Sequence, residues 1–148
     1  MNTMLHRRTW IGAIALVGAA LILASCQSMS PMMGGEQIML SGANEVPPVT
    51  TSASGSGTVT IKPDGSVSAH VTVTGMTATA SHIHEGAAGA NGPVIVPFTK
   101  TGDNVFDAPA GAKLTDAQMA SYKAGKLYVN VHSAKNPGGE VRAQLKGN

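Results

Sequence analysis

Two histidines, His82 and His84, stand either side of Ile83 in a run that ends in a glycine-rich stretch from Gly86 to Gly92. In a β-strand successive side chains point to opposite faces, so the two imidazoles share one face and Ile83 takes the other. Their Cα atoms then lie roughly 6.6 Å apart, two strand rises, which lets two rings converge on one ion. A third histidine, His132, closes the alternating run Leu127, Tyr128, Val129, Asn130, Val131. The apolar members of that run read as core, so His132 joins Tyr128 and Asn130 on the outward face. Three outward imidazoles with an open position suit copper or zinc. His70 also faces outward, and a strand pairing centred near Thr77 would set it opposite His84 as a candidate fourth ligand.

The elements that must position these side chains are short strands separated by regular turn residues. Gln37 to Leu40 reads as a strand, and Ala43 to Pro48 as extended chain because of its prolines. Gly57 to Ile61 and Ser66 to Thr74 alternate around a turn at Lys62, Pro63, Asp64 and Gly65. Strands follow at Thr79 to Glu85, Val94 to Val96, Asn104 to Phe106, Lys126 to His132 and Glu140 to Leu145. The expected core is Val59, Ile61, Val71, Val73, Ile83, Val94, Val96, Leu127, Val129, Val131 and Val141. Thr115 and Gln118 form a capping box for one helix from Asp116 to about Lys123, stopped by Gly125. This pattern predicts an all-β chain, an antiparallel β-sandwich or partly closed Greek-key barrel with one short helix.

If His132 pairs opposite Glu140 in the last hairpin, Asn130 faces Arg142 and Tyr128 faces Gln144. Glu140 could then orient the His132 ring from behind, with Asn130 and Arg142 completing the surroundings. Arg142 could equally pair with Glu45. An exposed cross-strand ion pair contributing about 0–1 kcal/mol would explain both charges as well.

The first residues carry a different message. Arg7 and Arg8 precede an apolar run from Trp10 to Leu23 that is too short for a comfortable membrane span, the pattern of an export signal. It ends in Leu23, Ala24, Ser25 and Cys26, and Cys26 is the only cysteine. These four residues resemble a bacterial lipobox, which implies cleavage before Cys26, lipidation of its thiol (palmitate among the acyl chains) and attachment to a membrane. Gln27 in the next position resembles an outer-membrane address. The expected organisation is residues 1–25 as signal peptide, 26–36 as a lipidated flexible tether and 37–148 as the folded domain, held in the cell envelope and facing the periplasm or cell surface. Met29, Met32, Met33 and Met39 are soft donors suited to Cu(I), or incidental residues of a spacer.

Charge excludes one class of partner. The formal +2 of the whole chain includes Arg7 and Arg8. Without residues 1–25, seven lysines and one arginine face eight acids. No basic patch supports nucleic-acid binding. The glycine-rich stretch lacks the Lys-Ser/Thr of a phosphate loop and reads as a surface loop. No serine sits in a nucleophile-elbow context, and no carboxylate pair suggests hydrolysis.

Three blocks in order, Leu40 to Pro48, His82 to Gly86 with Asn91 to Val94, and Leu127 to His132 with Pro137 to Arg142, resemble the CHRD domain, from Gln37 to Leu145. The resemblance implies an extracytoplasmic β domain and no defined activity. The placing of His82, His84 and His132 is more distantly similar to the copper positions of copper/zinc superoxide dismutases. This chain lacks their bridging histidine, zinc loop and disulfide, and has Glu140 where their catalytic arginine stands. The functional expectation is an envelope protein that binds copper, with zinc as the alternative ion. A metal-free adhesion or scaffolding module is the second reading, and a dismutase-like enzyme the third.

Overall fold

The computed structural model describes residues 34–147, so the expected signal peptide, Cys26 and most of the tether lie outside the described residues. Nine strands form one antiparallel sheet that curls into a nearly closed barrel. They are β1 (Glu36–Ser41), β2 (Ser54–Ile61), β3 (Val67–Thr74), β4 (Ala78–Glu85), β5 (Val94–Pro97), β6 (Thr99–Gly102), β7 (Val105–Asp107), β8 (Leu127–Ser133) and β9 (Val141–Leu145). Their order across the sheet is β5-β4-β8-β9-β1-β2-β3-β7-β6. The two end strands, β5 and β6, are consecutive in the chain. Phe98 between them donates its N–H to the Ser81 carbonyl, and Lys100 of β6 reaches the Ala78 carbonyl of β4.

Alternation explains the core. Val59, Val71, Val73, Ile83, Val96, Leu127, Val129, Val131 and Val141 are all buried, with Ile38, Leu40, Phe106 and Leu145 among them. β-Branched residues suit a pleated, packed surface, and they carry this core with few aromatics. Two expected members differ. Val94 is 47% exposed and Ile61 only partly buried. Val94 lies on end strand β5, which has one neighbour, β4. The helix α1 (Asp116–Lys123) has its capping box, with Thr115 accepting from the Gln118 N–H and Gln118 accepting from the Thr115 N–H. Leu114 and Met119 pack into the core cluster at its start.

Two features depart from the expected strand plan. Residues Gly42–Asn44 form a turn of 3-10 helix rather than extended chain. The β6–β7 hairpin adds a strand whose four β6 residues are all exposed, leaving no hydrophobic alternation to read.

Candidate metal centre

The site is built on β4, β8 and β9, which are neighbours in that order. Register places His82 opposite Asn130 and His84 opposite Tyr128, while Asn130 faces Arg142 and Tyr128 faces Gln144. Directly paired residues of antiparallel strands point the same way. All these side chains therefore share one polar face, backed by the valine core on the other.

That face brings His82, His84 and His132 together. Their nitrogen ligand atoms lie within 4.8 Å of one another, and no carboxylate joins the group among the described residues. The Nδ1 of His82 is 2.9 Å from the Nε2 of His132. Two ligands on one ion, each about 2.0–2.1 Å from it, sit about 3.3–3.5 Å apart. The His82–His132 pair would spread slightly to that spacing, and the wider spacings of the group, up to 4.8 Å, would close around an ion.

Partners set which nitrogens are free to coordinate. His84 Nδ1 faces the Gly92 carbonyl at 2.9 Å, and His132 Nδ1 faces the Pro137 carbonyl at 2.9 Å. A carbonyl only accepts, so each Nδ1 carries the proton and each Nε2 presents a lone pair. The His84 Nε2 is buried and has no hydrogen-bond partner. An orphaned acceptor costs free energy unless something fills its place, and a cation would do so. Without an ion, the His82 Nδ1–H donates to His132 Nε2. An ion held here by the three rings would take the place of that shared hydrogen, with His82 carrying its hydrogen on Nε2.

Electrostatics keep the three rings neutral. Burial pushes His82 down to about 4, helped by neighbouring His132 and His84. Burial also lowers His84 and His132, against the opposing carbonyls of Gly92 and Pro137. Neutral imidazole is the ligating form, so at neutral pH no proton need leave the site for metal to enter.

The surroundings correct several expectations. The polar face is not open to solvent: Tyr128, Asn130 and Arg142 are buried beneath loops. The Arg142 guanidinium lies 3.4 Å over the Tyr128 ring, which stacks on His84 at a centroid distance of 4.9 Å. Arg142 does not form an ion pair with Glu45. It donates to the carbonyls of Ala87 and Ala90 and to the side chains of Asn91 and Gln144. Glu140 does not orient His132; it accepts from Thr51 and Ser133, and the Pro137 carbonyl holds the ring instead. His70 stands apart on β3, which pairs with β2 and β7 rather than β4. Its Nδ1 bonds Asp107 at 2.7 Å on the exposed surface.

Gly92 escaped the sequence reading. Its carbonyl holds His84, its N–H donates to the Tyr128 hydroxyl, and a Cβ there would stand 1.6 Å from the Glu85 oxygen. Its signal was a glycine eight residues past a histidine, inside a stretch that read as plain loop.

The CHRD domain profile matches residues 37–145. The chain belongs to the CHRD domain family. No curated protein and no solved structure matches it. The CHRD match spans the sheet from its second residue to its last, so the three histidines and the loops that hold them are parts of the CHRD domain itself.

Proposed function

We propose that this CHRD domain binds a metal ion, copper in preference to zinc, through His82, His84 and His132, and that it does so in the cell envelope on a lipid anchor at Cys26. The observation that carries the metal reading is the pairing of converged imidazoles with a buried, unpartnered His84 Nε2. His82 and His132 are only half-buried, which leaves an ion a way in and out. Such a site suits storage, delivery or sensing better than turnover. The envelope reading rests on the lipobox-like residues and the export signal. Stable anchoring takes two acyl chains or an equivalent second signal.

Equilibrium dialysis of the purified chain against Cu(I), Cu(II) and Zn(II) tests the metal reading. One ion per chain is expected, with loss of binding in His84→Ala and His132→Ala variants. A chain that takes up none of the three is the adhesion or scaffolding module instead. The His82–His132 hydrogen bond, which satisfies both rings without an ion, is the observation on that side. A Cys26→Ser chain should accumulate as uncleaved precursor or leave the membrane fraction. Normal processing and attachment of that variant would remove the anchor from the account.

A further inference from the structure

We propose that the three-histidine site discriminates by charge, selecting monovalent Cu(I) over divalent Zn(II) and Cu(II). This rests on the metal-binding reading above and names the ion that the site is built for.

The donor set is three neutral imidazoles, with no carboxylate among the described residues. Of the neighbouring acids, Glu85 accepts from Ser121, Glu140 accepts from Ser133 and Thr51, and Glu45 is buried in the field of Arg142 but is not one of the converged ligands. A divalent ion would therefore bring two charges that no ligand offsets.

The charge stacked towards the ligands is positive. Arg142 is 1% exposed and makes no ion pair among the described residues. It lies over Tyr128, and Tyr128 stacks on His84, with the three residues on successive strands β9, β8 and β4. The stack sets the guanidinium at most about 8 Å from the His84 ring, and each extra unit of charge on an ion beyond that ring, roughly 10 Å away, is disfavoured roughly fifteenfold at an effective dielectric of 20.

Coordination number points the same way. Three imidazoles complete a trigonal shell for Cu(I), whereas Zn(II) with three protein ligands still requires a fourth from solvent.

The test uses the full chain, kept anaerobic, with Cu(I) buffered by a bicinchoninate competitor and with Zn(II) and Cu(II) titrated separately. The expected result is one Cu(I) per chain, held at least tenfold more tightly than either divalent ion. Divalent binding as tight as Cu(I) binding overturns the inference and leaves the metal reading standing. No uptake in any arm overturns both.

A second arm adds charge without changing shape. Asn130 sits opposite His82, on the polar face that carries His84. Asn130→Asp should shift the preference at least tenfold towards Zn(II). An unchanged ratio in a folded Asn130→Asp chain refutes the charge argument.

Discussion

Arg142→Met tests whether the guanidinium holds the glycine-rich loop over the site. The loop's acceptors are the Ala87 carbonyl at 3.1 Å, the Ala90 carbonyl at 2.9 Å and Asn91 Oδ1 at 3.3 Å, and Gln144 Oε1 lies at 3.2 Å. Three of these four acceptors share the two hydrogens of Nη2, so the set is equivalent to about three full bonds. A bond from a charged donor contributes about 1.5–3 kcal/mol, which would give roughly 5–9 kcal/mol before any cost is counted. Burying the guanidinium costs several kcal/mol, which its removal returns, and methionine keeps some contact with Tyr128. The net expectation is a loss of about 3 kcal/mol, a large share of the roughly 5–15 kcal/mol stability of a domain. Urea unfolding measures it. Hydrogen exchange should show faster exchange at the Gly86, Ala90 and Gly92 amides, which bond to Lys126, Ala87 and Tyr128. A variant within 0.5 kcal/mol of wild type, with loop protection intact, would refute the clamp.

Gly92→Ala should weaken metal binding about 10–100-fold, as loss of a ligand's orienting partner does, because a Cβ at 1.6 Å from the Glu85 oxygen forces the loop away from His84. Binding equal to wild type, measured in the same dialysis, would separate the loop from the site. His70→Ala should leave metal affinity unchanged and cost about 0–1 kcal/mol of stability, as an exposed pair does; a lost ion would put His70 back among the ligands. Glu45 is buried, and burial raises it to about 7 against the pull of Arg142 and the Val46 N–H. Its folded pKa exceeds the unfolded value, so its stabilising contribution is present below about pH 4.5 and lost as pH rises through 7. Glu45→Gln, which stays neutral, should match wild type near pH 4 and exceed it by about 3 kcal/mol above pH 8. Equal stability of the two chains across that range, by urea unfolding, would mean that Glu45 is solvated.

The faces of the strands were legible because alternation reports them directly. It set Ile83 and Val129 inward and His82, His84 and His132 outward, and with the hairpin register assumed it set Asn130 opposite Arg142, as observed. The capping box at Thr115 was equally local. What alternation cannot report is what covers a face. Tyr128 and Asn130 read as outward, and they do point away from the valine core, yet both are buried, Tyr128 against Gly92 of the glycine-rich loop and Asn130 against the turn at Gly138. The partners of the site were hidden for the same reason: backbone carbonyls at Gly92 and Pro137 have no side-chain signature. His70 shows the opposite error, since its outward face was right and only the sheet order could separate it from His84.

The buried polar face explains why one glycine and one arginine can govern a site that neither would ligate. Buried polar groups must find partners, and here the chain offers few: Arg142 takes up the loop carbonyls, and Gly92 offers its two backbone groups to Tyr128 and His84. The stack of Arg142, Tyr128 and His84 then runs without a break from the loop clamp to a ligand nitrogen. Moving any member leaves another polar group unpaired in a region of low dielectric, which is what makes such networks stiff. This economy leaves the His84 Nε2 and the Asn130 Oδ1 unsatisfied on the polar face, and His84 is one of the three imidazoles that converge there. A layer that satisfies its other ring nitrogen so thoroughly has reason to hold that lone pair free for an ion.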